Sequence, residues 1–489
     1  MSSIFSEPKS GAMRTHNLFS WLSELVLLIM LFTPISFQTF SPNDISLFMF
    51  LNGSFGIVML WIAMADAPYS LKQVHWIFYI TFFAIAPLYQ YTKGFYPWGY
   101  IPTDDSVRLA CILVFFWGAI FALASGRSRL VSQDKDKANA SWLSEKLYFE
   151  LTPLARFILP TGCILSLGVL VAAMGFNGLF LRTTATVDFD SSSLSLIVTV
   201  CPRAFVFGSF ALLMLNARRE KKHYSSAIIA GICLVLTCFP TALARFNIAS
   251  IYLGLAVLIF PSFSTKRGLF AFFLILGFLV AYPLFDAFKY IGEAASPDDA
   301  ILTIANSLTS GYTSGNYDAF SILFWCSDYI DFYGPTYGKQ LLGTLLFFVP
   351  RTIWPDKPIP SGELVFKTFG RSFTDIAFPL PAEGWINFGI AGLLLFSLAY
   401  GVVVSKLDCA YWASRESKAR CLPNVILLFY PFLLCLTFYM LRGAMMTTFT
   451  FIIGDFAVMV LLRHFATFLN RHSSSTNLKK TNNLTSMEG

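Results

Sequence analysis

Runs of apolar residues long enough to cross a lipid bilayer recur along most of this chain, and that recurrence restricts its fold more than any motif does. A spanning helix needs about 20 predominantly apolar residues. Twelve windows satisfy that length, near 18–36, 45–63, 75–91, 106–125, 155–175, 193–216, 225–242, 246–262, 268–288, 385–404, 424–441 and 443–462. The 489 residues are 56% hydrophobic and only 13% charged, with a mean hydropathy of +0.63. That leaves too little polar surface for a soluble globular domain of this size. The expectation is an all-α polytopic membrane protein with about twelve transmembrane helices.

Lysine and arginine set the expected orientation, because basic residues resist translocation and collect in short cytoplasmic loops. Lys9 and Arg14, Lys72, Arg127 to Lys146, Arg218 to Lys222, Lys266 and Arg267, Lys406 to Arg420, and Arg463 to Lys480 fall on one side. The intervening connections are poor in cations and include Asp44, Asp104 and Asp105. Both termini are therefore expected in the cytoplasm, and the one long connection, Lys289 to Pro381, outside. Met1 to Lys9 is polar and the first apolar run is of spanning length, so the first helix is expected to be the anchor itself, with no removable signal. The chain divides into 1–288 with nine helices, a large periplasmic loop with interfacial helices over 289–384, three more helices over 385–466, and a polar cytoplasmic tail over 467–489 that reads as disordered. The net charge of +7 is a topology signal and not a sign of nucleic-acid binding.

Of nine cysteines only Cys326 falls in the outer loop, so no disulfide framework is expected there. No CxxC pair or Cys/His cluster points to a metal. No internal repeat is visible, which counts against the repeat architecture of many transporters.

The chemistry is expected in the outer loop. Pro350, Pro355, Pro358 and Pro360 each fix φ and bias the preceding residue toward extended geometry, giving a rigid segment that presents Arg351, Lys357 and Glu363. Two cations and a carboxylate on a stiff loop suit an anionic ligand. Asp318 to Phe332 and Gly338 to Val349 are apolar runs too short to span, the pattern of helices that lie on or re-enter the membrane and roof a chamber at the outer face. Arg203 inside a spanning window, Arg245 and Arg442 at tight outer turns, and Lys289 at the start of the loop add positive charge, as does Arg371. Charges at membrane depth are retained mainly where they face a cavity or a partner. Guanidinium forks grip phosphate through paired hydrogen bonds, so a lipid pyrophosphate is the expected guest. The competing readings are a plain structural cap, cations that snorkel to headgroups, and an ion pair of Arg203 with Asp286 or Glu383.

All five histidines, His16, His75, His223, His464 and His472, fall on the inner side, so a general base outside has to be a carboxylate or tyrosine. Glu383 is the first choice, ahead of a helix expected to begin near Trp385; simple capping of that helix is the alternative. Asp318 and Asp286 come next, and Asp455 reads as a packing or ion-pair residue.

The run from Leu341 through Pro350-Arg351-Thr352-Ile353-Trp354-Pro355-Asp356-Lys357-Pro358, followed by Pro381-Ala382-Glu383-Gly384-Trp385-Ile386-Asn387-Phe388-Gly389-Ile390-Ala391-Gly392, resembles the signature region of the oligosaccharide repeat unit polymerases, the Wzy-type O-antigen polymerases of bacteria. The resemblance covers roughly the last third of the chain in motif terms and the first half only in hydropathy. It implies a metal-independent glycosyltransferase with a GT-C-like fold and no cofactor, in the bacterial inner membrane. Its implied substrates are undecaprenyl-pyrophosphate-linked oligosaccharides met among membrane lipids at the periplasmic face, and its implied partner is a chain-length regulator protein. Arg351, Lys357 and Glu383 carry over by motif; Arg203, Arg245 and Arg442 rest on depth and charge. The expected reaction has a hydroxyl of one lipid-linked repeat attack the anomeric carbon of the growing glycan. Arg and Lys stabilise the departing pyrophosphate, and Glu383 takes the proton. The rivals are an O-antigen ligase, whose family resembles an arrangement with an outer histidine, a lipid-linked oligosaccharide flippase, and a peptidoglycan polymerase.

Overall fold

The computed structural model describes residues 18–126, 151–180, 192–243, 245–281, 311–373, 376–416 and 424–485. Among the described residues the protein is helical, without strands, and nine helices are long and apolar enough to cross a membrane. It is a polytopic membrane protein.

The elements are α1 (Leu18–Phe32), α2 (Asp44–Asp66), α3 (Leu71–Ile80), α4 (Ala86–Lys93), α5 (Asp104–Ser125), α6 (Pro153–Gly178), α7 (Ser192–Glu220), α8 (Tyr224–Thr237), α9 (Arg245–Ile259), α10 (Ser262–Thr265) and α11 (Leu269–Leu276). They continue with α12 (Ser321–Tyr333), α13 (Lys339–Leu345), α14 (Ser361–Thr368), α15 (Leu380–Glu416), α16 (Val425–Arg442) and α17 (Met445–Thr485). Nine of the twelve expected windows coincide with the long helices, α3 and α4 together forming one of them. The other three fall on the shorter α8, α9 and α11. α17 runs on to Thr485, where a tail without helix was expected; no Pro or Gly occurs between Asn470 and Thr485 to stop it.

Local chemistry starts and stops these helices where polar residues interrupt the apolar runs. Side-chain oxygens of Asn43, Ser70, Thr103 and Thr152 accept backbone N–H groups in the first turns of α2, α3, α5 and α6, which supplies otherwise orphaned donors. α3 and α4 are joined by a π-turn over Thr81–Ile85. Pro87 has no N–H to give Phe83, and the Ala86 N–H instead reaches back to the Thr81 carbonyl. All ten residues of α3 are buried, so this helix forms the centre of the bundle, packed against α2, α11, α15 and α16.

One end of the bundle carries a cap. Its parts are two short 3₁₀ turns, Gly311–Thr313 and Gly315–Tyr317, with α12, α13 and α14. Gln90 Nε2 near the end of α4 donates to the Tyr312 and Tyr317 carbonyls at 2.8 Å each, which ties the cap to α4, the continuation of the central helix. The two apolar runs expected to be too short to span are α12 and α13, of 13 and 7 residues.

Candidate functional site

The helix carrying Glu383 begins at Leu380, not near Trp385. Pro381 is accommodated because a first-turn residue needs no donor. Glu383 thus lies in the first turn of α15, and it is 2% exposed. Oε2 accepts the Ser361 hydroxyl at 2.6 Å, and Oε1 accepts the backbone N–H of Met445 at 2.9 Å. The helix start that Glu383 serves is not that of α15, the helix it was expected to cap, but that of α17. A carboxylate there also meets the positive end of that helix.

α15 breaks at Phe388 and Gly389, the latter at φ 66°, a conformation that favours glycine. The break brings Gly392 against the Gly384 carbonyl so closely that a Cβ would lie 2.1 Å from it. Asn387, just before the break, ties the first turns of α15 to α13: Nδ2 donates to the Glu383 carbonyl at 2.8 Å, and Oδ1 accepts the Leu341 N–H of α13 at 3.0 Å. The Glu-Gly and Asn-Phe-Gly elements of the sequence therefore shape one compact joint.

Arg351 and Lys357 close their own loop. Arg351 Nη1 and Nη2 donate to the carbonyls of Lys357 at 2.7 Å and Pro358 at 3.4 Å, while Lys357 Nζ donates to those of Phe347 at 2.5 Å and Val349 at 2.9 Å. Proline brings carbonyls without N–H groups, and the two cations supply the missing donors. Burial, then the neighbouring guanidinium, holds the Lys357 ammonium below its ordinary value. Arg351 remains exposed. The loop is seated beside the α17 start, since Gly343 packs against both Pro358 and Met446. Glu363 does not join these cations; it pairs with Lys367 at 2.6 Å.

A second buried carboxylate holds the same region from the other side. Asp318 accepts Arg442 Nη2 at 3.1 Å and Trp98 Nε1 at 2.9 Å, and Arg442 Nη2 also donates to the Gly315 carbonyl at 2.8 Å. Trp98 sits at φ 65° between Pro97 and Gly99; its ring stacks on Phe373 at 5.5 Å and lies so close to Gly315 that a Cβ there would be 2.6 Å from it. Burial pushes the Asp318 carboxyl above the usual carboxylate range, against the pull of Arg442 and Trp98.

Five sequence-derived candidates thus gather at the capped end: Glu383, Asp318, Arg442, Arg351 and Lys357. The turn from Arg442 to Met445 joins the two carboxylates. Arg371 belongs to the same cap and lies over the Trp325 ring at 4.8 Å. Arg203 lies apart. It donates to the Thr237 carbonyl at 2.9 Å and the Thr199 carbonyl at 2.8 Å; of the two acidic partners weighed for it, Glu383 is bonded to Ser361 and Met445 instead, and Asp286 lies outside the described residues. Gly454 neighbours Val200, and Gly208 packs on Met459 and Leu462, so Arg203 sits roughly 16 Å along α17 from Met445 at a rise of about 1.5 Å per residue. Beside it an apolar groove of about 740 Å³ opens between α6, α7 and α17, lined by Gly162, Leu165, Pro202, Phe205 and Leu462 among others. Asp286, Lys289 and the Arg245 side chain lie outside the described residues. Asp455 is buried within α17. Among the described residues no group of three or more His, Cys, Asp or Glu is placed to hold a metal ion.

Ser361, Trp98 and Asn387 carry bonds that sequence reasoning did not assign. The Pro-Trp-Gly setting of Trp98 and the position of Asn387 inside the motif were the available signals. Comparison with family models, curated proteins and solved structures finds no match to this chain.

Proposed function

We propose that this protein joins undecaprenyl-pyrophosphate-linked oligosaccharide repeats into a surface polysaccharide at the periplasmic face of the bacterial inner membrane, with both termini in the cytoplasm. The observation that best supports this reading is the gathering of Glu383, Asp318 and Arg442 around one turn, next to the loop that presents Arg351.

In this reading the bond from the anomeric carbon to the pyrophosphate oxygen breaks, and the acceptor hydroxyl oxygen forms the new bond to that carbon. The proton of that hydroxyl passes to Glu383. Because the Glu383 carboxylate is enclosed by Ser361 and Met445, the acceptor hydroxyl takes the place of the Ser361 hydroxyl on Oε2. Arg351, exposed at the loop surface, meets the pyrophosphate with the N–H groups it does not spend on Lys357 and Pro358. Arg442 holds Asp318 and the turn in place and so acts as a positioning residue. Purified protein supplied with lipid-linked repeats tests the proposal: a ladder of products supports it, whereas transfer to lipid A core or no transfer at all refutes it.

A further inference from the structure

Three buried polar side chains in the centre of the bundle have atoms without a hydrogen-bond partner among the described residues: both ring nitrogens of His75, Nε1 of Trp117 and the hydroxyl of Tyr400. They come from α3, α5 and α15 and are 0%, 0% and 7% exposed. Their rings are mutual neighbours: His75 lies 5.6 Å from Tyr400 and 6.5 Å from Trp117, and Trp117 lies 6.3 Å from Tyr400, centroid to centroid. Phe121 closes one face, stacked on the imidazole at 3.5 Å.

Buried polar groups in proteins find partners almost without exception, and where protein groups fall short of bonding distance an ordered water fills the gap. The chemistry here narrows the ligand. An indole N–H only donates, a neutral imidazole has one donor and one acceptor nitrogen, and a phenol does both. A metal cation finds no carboxylate among these three, and an anion finds no positive charge. Water both donates and accepts, and needs two to four polar partners. We propose that His75, Trp117 and Tyr400 together hold an ordered water molecule inside the membrane-spanning core.

The site extends a polar seam between α3 and α15. One turn before His75, the backbone N–H groups of Leu71 and Lys72 donate to Asp408 at 2.9 and 3.4 Å, and Asp408 lies two turns beyond Tyr400 on α15. Asp408 also accepts the Tyr430 hydroxyl, and Arg415 donates to Tyr69, Tyr411 and Ser264. The water would carry this seam from the helix ends into the apolar interior and couple α5 to it.

Radiolytic footprinting of the full chain in nanodiscs tests the site, because radicals generated from a bound water oxidise the side chains that hold it. Tyr317 is the dry reference: it is 0% exposed, and its hydroxyl donates to the Phe278 carbonyl at 2.5 Å. Tyr400 should oxidise several-fold faster than Tyr317, and His75→Phe should bring it down to the Tyr317 rate. Equal rates in the wild type, or a Tyr400 rate unmoved by His75→Phe, overturn the proposal. Should His75→Phe fail to fold, Trp117→Phe removes one ligand of the water; it should slow Tyr400 oxidation, and an unchanged rate again overturns the site.

Discussion

Glu383 accepts the backbone N–H of Met445 at 2.9 Å, so the start of α15 is fastened to the start of α17 by the carboxylate proposed to take the acceptor proton. This contact separates two roles in one side chain, and two substitutions distinguish them. Glu383→Gln retains an oxygen for Met445 and a group that can pair with Ser361, so the fold should persist with near-normal thermal stability. If Glu383 takes the acceptor proton, chain extension should fall by about 10²- to 10⁴-fold. Wild-type extension in Glu383→Gln would leave it a purely structural residue.

Glu383→Ala strands the Met445 N–H and the Ser361 hydroxyl in buried space, at about 1–3 kcal/mol for each. Melting in detergent should show this as a lowered Tm, larger than for Glu383→Gln. Ser361→Ala should leave extension near normal, because the acceptor hydroxyl displaces Ser361 in the proposed reaction; loss of extension with an intact fold would contradict that displacement.

Asp318 gives a pH prediction. Its folded-state pKa is raised by burial, so the folded protein holds this proton more readily than the unfolded chain. The stability it contributes is present below the unfolded carboxylate value of about 3.9 and is lost as pH rises through the raised folded value. Asp318→Asn keeps an acceptor for Trp98 and removes that dependence. Tm measured upward from pH 4 should therefore fall less steeply for Asp318→Asn than for wild type; identical slopes would show that Asp318 does not titrate in this range.

Much of the bundle is legible because each long helix depends on a local property, the length of an apolar run. The shorter α8 and α9 keep the apolar character of spans without their length, and hydropathy alone does not reveal where they stop. The site is less legible. Glu383 and Met445 are 62 residues apart, and Trp98 and Asp318 are 220 apart, so no spacing rule pairs them. As cations on a rigid loop, Arg351 and Lys357 suit phosphate, yet prolines that stiffen a loop also leave carbonyls in want of donors. The nearest cations meet that need. The motif residues do gather in the fold: Glu383, Arg351 and Lys357 all lie at the capped end of the bundle.

Arg351→Lys should fold and retain partial activity, because the charge survives while the guanidinium fork that spans Lys357 and Pro358 is lost. Limited proteolysis should cut the segment around Asp356 faster in this variant. Protection equal to wild type would mean that the fork does not close the loop.

Orientation is tested with a cysteine in place of exposed Asp356, in a background lacking the other reactive thiols. An impermeant reagent should label it in cells whose inner membrane is intact. Labelling only after that membrane is opened would invert the topology and remove the periplasmic site.

The most direct measurement is product formation by the purified protein in liposomes supplied with undecaprenyl-pyrophosphate-linked repeats and a chelator. A ladder of lengthened glycans, undiminished by the chelator and lost with Glu383→Gln, is the predicted result. Absence of any ladder from folded wild-type protein, or a ladder that disappears when metal is removed, would contradict a metal-independent polymerase centred on Glu383.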